Sequence, residues 1–159
     1  MNMEPATLRE LICGNDEIHL TPKGIRLLIH RAWVVPSEDR LSYASAIRLA
    51  ECCREHHWNQ DIAILAPHID SVVTRCEAIF RTPLVVGTQI EITYAITRVG
   101  CRSYDCQFSF HISGQTDNPP LAVVTLTNVF YVPETQAAKE PPYEVHATLI
   151  RLLNGVASS

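Results

Sequence analysis

The second half of the chain alternates apolar and polar residues with a period of two. The alternation is clearest in residues 90–97, 106–112 and 124–128, and residues 69–80 carry it before them. Successive side chains of a β-strand point to opposite faces, so this pattern predicts a sheet with one buried and one exposed face. In residues 69–80 we expect the side chains of five residues to lie on the same face of the strand: Val72, Thr74, Cys76, Ala78 and Phe80.

A helical period precedes the sheet, over residues 42–58. Its apolar stripe comprises Ala46, Leu49, Ala50 and Cys53. Arg48, Arg54 and Glu55 lie off that stripe, and we expect them to reach solvent. The many small residues allow this helix to approach a sheet closely. A long antiparallel sheet covered by one main helix predicts an α+β architecture.

Shorter segments flank this core, which we expect to extend from about residue 18 to residue 133. Residues 7–10 have the spacing of a capping box, which predicts a short N-terminal helix. Residues 25–35 alternate like a strand, and residues 143–153 form an amphipathic pattern typical of a tail helix. We expect residues 1–159 to form a single domain.

Composition excludes several classes of protein. The net charge of −4 does not fit the basic surface with which a nucleic-acid binder neutralises phosphates. No stretch approaches the ~20 apolar residues of a membrane helix, and the N-terminal residues lack the pattern of a signal peptide. Six cysteines occur without C-x-x-C spacing, as expected of small buried residues in the cytoplasm. We expect no metal site and no cofactor.

Three sequence motifs occur in a familiar order. Residues 80–92 read F-R-T-P-L-V-V-G-T-Q-I-E-I, residues 97–104 read T-R-V-G-C-R-S-Y, and residues 46–51 read A-I-R-L-A-E. Together they resemble acyl-CoA thioesterases of the 4-hydroxybenzoyl-CoA thioesterase type, over roughly residues 25–132. The resemblance implies the hotdog fold, in which an antiparallel sheet wraps around a long central helix.

One segment departs from that family. Many members carry an aspartate and a G-H-V-N-N stretch before the helix, whereas residues 36–43 read P-S-E-D-R-L-S-Y. Residues 53–55, C-R-E, are similar to the helix of thioesterases from enediyne polyketide pathways, which also lack the usual acid. The resemblance therefore implies an acyl-CoA or an acyl-carrier-protein substrate and leaves both open.

Thioester hydrolysis needs a carboxylate and donors for the oxyanion, which backbone N–H groups at a helix N-terminus supply. Glu51 on the main helix is one candidate acid, and Glu38 and Asp39 before the helix are the others. Glu51 has an alternative interpretation as a helix glutamate paired with a neighbouring arginine. Ser42 either polarises the substrate carbonyl or caps the helix.

Further residues are candidates for substrate binding. They are Tyr43, Ala44, Ile47, His68, Phe80 and Tyr94 along an acyl pocket, and Arg98 and Arg102 at a rim that binds phosphates. Two other functions remain open: a hotdog dehydratase or hydratase, and a non-catalytic acyl-binding protein. Hotdog domains generally pair through their sheets, so we expect a homodimer or a homotetramer.

Overall fold

The structure, a computed structural model, describes residues 19–21, 24–29, 34–35 and 37–155. The helix predicted after residue 7 lies outside these residues. The strands are β1 His19–Thr21, β2 Gly24–Leu28, β3 Val34–Val35, β4 Arg40–Leu41, β5 Asp70–Phe80, β6 Gln89–Val99, β7 Ser103–Ile112, β8 Ala122–Val132 and β9 Ala137–Ala138. The helices are α1 Tyr43–Asp61 and α2 Tyr143–Leu153.

A seven-stranded antiparallel sheet forms the body of the fold. Its strand order is β1-β2-β6-β7-β8-β5, with β9 paired to the end of β8. Strands β6, β7 and β8 form a meander in which Phe110 lies opposite both Ile92 and Ala122. Among the described strands β5 pairs only with β8, so it forms one edge of the sheet. The antiparallel arrangement predicted from the alternation is confirmed.

One face of the sheet carries the hydrophobic core. The fully buried side chains of the meander are Ile90, Ile92, Cys106, Phe108, Phe110, Val124, Leu126 and Phe130. Helix α1 adds Ala46, Leu49, Ala50, Cys53 and Trp58 to the same cluster, which includes the predicted stripe. Small residues on α1 leave room for aromatic side chains of the sheet, and Trp58 lies 6.0 Å from the ring of Phe130.

The prediction of one continuous strand over residues 25–35 is wrong. Strand β2 ends at Leu28, and Val34–Val35 belong to a separate two-stranded sheet with Arg40–Leu41. That small sheet is tied to the loop before β6, because the N–H of Leu41 donates to the carbonyl oxygen of Leu84 at 2.7 Å. The apolar residues of β3 and β4 therefore extend the core beside the start of α1.

A bulge corrects the predicted face of β5. The register with β8 shifts between Val73 and Arg75, so the side-chain alternation changes phase there. Cys76, Ala78 and Phe80 lie opposite the inward-facing Leu126, Val124 and Ala122, as expected. Val72 lies opposite Val129, which alternates with the buried Asn128 and Phe130, and Thr74 lies in the bulge, so neither shares that face. Alternation alone does not reveal an inserted residue.

The tail helix α2 has the bounds that its amphipathic pattern predicts. It contacts β6, and its buried side chains Val145 and Leu149 join the core. Within the described residues, neither helix is long and apolar enough to cross a membrane.

Ser42 is the N-cap of α1, as one of its two sequence interpretations predicts. Its Oγ accepts the N–H of Ser45 at 3.0 Å and donates to Ser45 Oγ at 2.8 Å. We expect Ser42→Ala to lower the free energy of unfolding by about 1 kcal/mol, because the N–H of Ser45 loses its acceptor. Urea unfolding measures this change. Ser45→Ala keeps the N–H and is the matched control; an equal loss in both variants would contradict the capping role.

Candidate functional site

The N-terminus of α1 lies beside aromatic side chains. The ring of Tyr43 packs on that of Phe80 with 4.3 Å between centroids, which joins the start of α1 to the end of β5. The guanidinium of Arg40 lies 4.6 Å from the centre of the Tyr43 ring and also pairs with the carboxylate of Glu38. Two predicted pocket residues, Tyr43 and Phe80, are therefore in contact, and the candidate acid Glu38 is engaged by a cation.

The first turn of α1 contains N–H donors that the helix itself does not use. Ser42 takes up the N–H of Ser45 with its side chain and that of Ala46 with its carbonyl oxygen. The N–H groups of Tyr43 and Ala44 precede the first intrahelical bond, so they remain outside the hydrogen bonding of the helix. Both side chains are exposed, which leaves this turn open to a ligand. Such a turn suits a developing oxyanion.

The second loop acid, Asp39, adopts a left-handed backbone conformation with φ of +50°. Aspartate tolerates this region better than most residues, and such conformations cluster at functional loops. The carbonyl oxygen of Asp39 accepts the N–H of Val86 at 3.0 Å, so the loop is held against the segment before β6. The side chain of Asp39 is exposed.

Glu51 lies further along α1, beside a buried arginine. Its Oε1 is 4.0 Å from Nη2 of Arg54, and half of the Glu51 side chain is exposed. Arg54 Nη1 donates to Ser71 Oγ at 3.4 Å, and the Ser71 hydroxyl lies 3.5 Å from that of Tyr104. The helix, the edge strand β5 and strand β7 thus meet in one polar cluster, which we call the Arg54 cluster: Glu51, Arg54, Ser71 and Tyr104.

The burial of Arg54 corrects the expectation that it reaches solvent. Only 9% of the residue is exposed, and its Nε lacks a hydrogen-bond partner among the residues that the structure describes. Ile47, Glu51 and Arg54 follow the i, i+4, i+7 spacing of one helix face, but Glu51 is exposed and Ile47 is half-buried, so this spacing does not predict that Arg54 is buried. A cation is rarely buried without a partner, so the assumption of an exposed side chain was reasonable but wrong here.

A cavity of about 520 Å³ opens beside this cluster. It is lined by Arg54, Glu55, Trp58, Asn59, Ala63, Ala66, Pro67, Ile69, Asp70, Ser71 and Pro133. One wall is therefore the second half of α1, and the opposite wall is the start of β5 with the segment that follows α1. Burial raises the pKa of Glu55, against the lowering effect of Arg54. The cavity combines an apolar wall with a cation and two carboxylates.

Tyr94 packs elsewhere on α1. Its ring stacks on His57 with 3.9 Å between centroids and lies 5.5 Å from Phe108. Burial raises the pKa of the Tyr94 hydroxyl well above its usual value. The sequence placed Tyr94 in the acyl pocket, whereas its aromatic contacts are with the histidine and the core.

His57 should make stability depend on pH. Burial lowers its pKa to about 4 from the ordinary 6.5, so the folded state holds the neutral ring. Between these values the unfolded chain binds more protons, and stability falls as the pH drops from about 6.5 to about 4, by about 1–3 kcal/mol. His57→Phe should remove that loss while keeping the stack.

Urea unfolding at about pH 7 and about pH 4.5 measures the effect, with the exposed His68→Gln variant as the control. An equal pH-dependent loss in wild type and His57→Phe would contradict this assignment.

The remaining candidate residues are not gathered at one point. Ile47 is half-buried on α1 and His68 is exposed before β5. Arg98 donates to both carboxylate oxygens of Asp105, at 2.8 and 3.0 Å, and these hydrogen bonds lower the pKa of Asp105. Arg102 is exposed and forms no side-chain hydrogen bond or ion pair with a described residue. The guanidinium of Arg98 is thus paired with Asp105 within the β6–β7 hairpin, whereas that of Arg102 can bind a ligand.

The buried cysteines behave as core residues. Burial raises the pKa of Cys52 to about 11 and that of Cys106 to about 11, and it raises that of Cys53 further. Thiols held in the protonated form are poor nucleophiles. The prediction of buried cysteines is confirmed for these three, whereas Cys76 and Cys101 are exposed and it is wrong for them.

No protein-family model matches the sequence, and no curated protein matches it. Many solved structures resemble its fold. A protein from Pseudomonas aeruginosa matches with a TM-score of 0.70 and 13% identity, over 80% of this chain and 88% of its own. A 1,4-dihydroxy-2-naphthoyl-CoA thioesterase from Synechocystis matches with a TM-score of 0.66 and 11% sequence identity, over 80% of this chain and 94% of its own. The dynemicin thioesterase matches with a TM-score of 0.65 and 18% sequence identity, over 87% of this chain and 97% of its own. Its structures concern polyene binding.

These similarities establish the fold. The antiparallel sheet and the two helices of the described residues confirm the α+β class, and the similar structures confirm the hotdog fold that the sequence motifs predict. The predicted wrapping of the sheet around a long central helix is confirmed only in part. The sequence identities are low, so the residues of the site are interpreted from this chain's own geometry.

Proposed function

We propose that this protein is a thioester hydrolase that acts on an acyl-CoA or on an acyl group carried by a carrier protein, in the cytoplasm. The observation that carries the proposal is a half-exposed carboxylate, Glu51, 4.0 Å from the buried guanidinium of Arg54, beside a cavity of about 520 Å³. Thioesterases for naphthoyl-CoA and gentisyl-CoA share the fold and support the reaction class. In this proposal the sheet curves around α1, and the acyl group lies between them.

Glu51 acts as the general base. Its carboxylate takes a proton from water, and the oxygen of that water attacks the carbonyl carbon of the thioester. The carbonyl oxygen becomes an oxyanion, which the N–H groups of Tyr43 and Ala44 stabilise. Collapse of this intermediate breaks the carbon–sulfur bond, and the departing thiolate takes the proton that Glu51 holds, which regenerates the carboxylate. The products are a carboxylic acid and a free thiol. Each residue has one task, and none needs a metal.

The oxyanion donors and Glu51 must come from two copies of the chain. Glu51 follows Tyr43 by eight residues, roughly 12 Å along the helix axis at 1.5 Å per residue. One carbonyl group cannot contact both from a single chain. Strand β5 offers a route to a partner, because it lies at the sheet edge and exposes Val72 and Ile79. We therefore propose a homodimer that pairs through β5, alone or within a homotetramer.

The loop acids are the alternative bases. Asp39 and Glu38 precede the helix N-terminus of their own chain, so they need no second copy to reach its donors. Glu38 is paired with Arg40. Arg102, exposed at the β6–β7 turn, is proposed to bind phosphates of CoA or of the pantetheine arm.

The test is release of free thiol from a panel of acyl-CoAs and acyl-pantetheine carrier proteins. A thiol-reactive dye follows the reaction with the full chain. We expect release that is saturable in substrate and unaffected by a chelator. Binding of acyl-CoA without release would instead support the non-catalytic acyl-binding protein, and hydration of an enoyl-CoA would support the hydratase.

A further inference from the structure

The guanidinium of Arg54 has more hydrogen-bond capacity than the protein uses. An arginine carries five N–H donors in a planar fork. Among the described residues its hydrogen-bond partners are Ser71 Oγ at 3.4 Å, a long contact, and the hydroxyl of Tyr104, while the Glu51 oxygen at 4.0 Å is an ion-pair partner only. Nε has no hydrogen-bond partner in the part of the chain that the structure describes, although nine-tenths of the residue is buried. A buried cation with unused donors is costly unless something else supplies an acceptor.

The cavity beside Arg54 is where that acceptor enters. Arg54 and Ser71 both line it, and both are at least nine-tenths buried. A purely hydrocarbon acyl chain here would supply no acceptor for the N–H groups of the guanidinium that Ser71 and Tyr104 do not use. An oxygen on the chain would accept from it and would replace the hydrogen bonds that the oxygen loses on leaving water.

The charges around the cavity decide what kind of oxygen fits. Glu55 and Asp70 line the cavity with Arg54, and Glu51 lies beside the same guanidinium. A carboxylate on the substrate would meet three like charges against one cation. A neutral keto or hydroxyl oxygen meets no such repulsion. The site therefore discriminates by the charge of the substituent as well as by its presence.

We propose that Arg54 is a specificity-determining residue that selects acyl groups bearing a neutral oxygen, as a keto or hydroxyl group, over plain and carboxyl-bearing chains. The inference rests on the proposed thioester hydrolase and names the substrate class of that same site. Tyr104 and Ser71 are positioning residues, because their hydroxyls, 3.5 Å apart, hold the guanidinium at the cavity wall.

The experiment ranks matched pantetheine thioesters: one straight-chain acid, the same acid with an oxo group at successive carbons, and the dicarboxylic acid of equal length. We expect wild type to show a kcat/KM roughly 10- to 100-fold higher for the best oxo compound than for the plain one, the worth of one hydrogen bond from a charged donor. The dicarboxylic compound should be slowest. Arg54→Lys should remove most of the preference, whereas Arg48→Lys, an exposed arginine on the same helix, should keep it.

Binding separates this inference from the proposed reaction. Calorimetry with the corresponding amides, which resist hydrolysis, should give the same ranking of affinities. If thiol is never released but the ranking of the amides holds and depends on Arg54, the hydrolase proposal fails and this inference stands. Release without any preference for the oxo compounds overturns the inference alone.

Two further results would also overturn it. If Arg54→Lys lowers kcat/KM equally for plain and oxo substrates, the guanidinium acts on the thioester carbonyl and not on the substituent. A higher kcat/KM of wild type for the dicarboxylic compound would contradict the charge argument. Because the ranking by wild type requires no variant, the inference remains testable if Arg54→Lys fails to fold.

Discussion

Replacing Glu51 with glutamine should lower kcat for thiol release by roughly 100- to 10,000-fold, the usual contribution of a general base. Glutamine keeps the size of the side chain and its contact with Arg54 but cannot accept the proton of the attacking water. The KM should change little, because Glu51 is proposed to act on water. Glu77→Gln is the matched control, since Glu77 is an exposed acid paired with Arg75 on β5.

The outcome also decides between the acids. Activity that survives Glu51→Gln but is lost in Asp39→Asn would move the chemistry to the loop before α1. A second measurement is the activity of a mixture of two variants: Glu51→Gln chains, and chains in which the N–H donors at Tyr43 and Ala44 are disrupted. If the base and the oxyanion donors come from different copies, a mixed dimer recovers one complete site, and activity should return in part.

Phe108→Ala should lower the free energy of unfolding by about 3–5 kcal/mol. Phe108 is fully buried at the centre of the meander and contacts the ring of Tyr94, so truncation leaves a cavity that the rigid sheet cannot close. Urea unfolding measures the loss. The control is Ile64→Ala, at a side chain that is 78% exposed, where we expect a change within about 0.5 kcal/mol.

A loss below about 1 kcal/mol in Phe108→Ala would mean that the surrounding side chains collapse into the space. That result would contradict the tight packing of helix α1 on the sheet.

The sequence predicts the regular elements well where the period is long and uninterrupted. The tail helix has the predicted bounds, and α1 runs from Tyr43 to Asp61 rather than ending at Trp58. The polar residues after Trp58 carry no apolar signal, which explains the difference. Residues 25–35 look like one strand because apolar residues stay in phase, yet the chain leaves the main sheet after Leu28. Local pattern does not reveal which sheet a strand joins.

The site was less predictable than the fold. Motif resemblance indicated the helix N-terminus and Glu51, and in the structure the rings of Tyr43 and Phe80 are in contact. Arg54 was missed as a site residue, since nothing local to the helix announces that Ser71 and Tyr104 lie across from it. Ser71 lies 17 residues after Arg54 in the chain, and Tyr104 lies 33 residues after Ser71. Only the folded register of β5, β7 and β8 brings them together.

The position of β5 has a consequence for handling the protein. An 11-residue strand that ends a sheet offers its outward N–H and carbonyl groups to any extended peptide. A variant in which added charges on β5 prevent dimer formation would still have these unpaired N–H and carbonyl groups. Chains could then stack edge to edge into insoluble fibres instead of remaining monomeric. A proline placed on the outward side of β5 would close the ladder to both, so precipitation and pairing should disappear together.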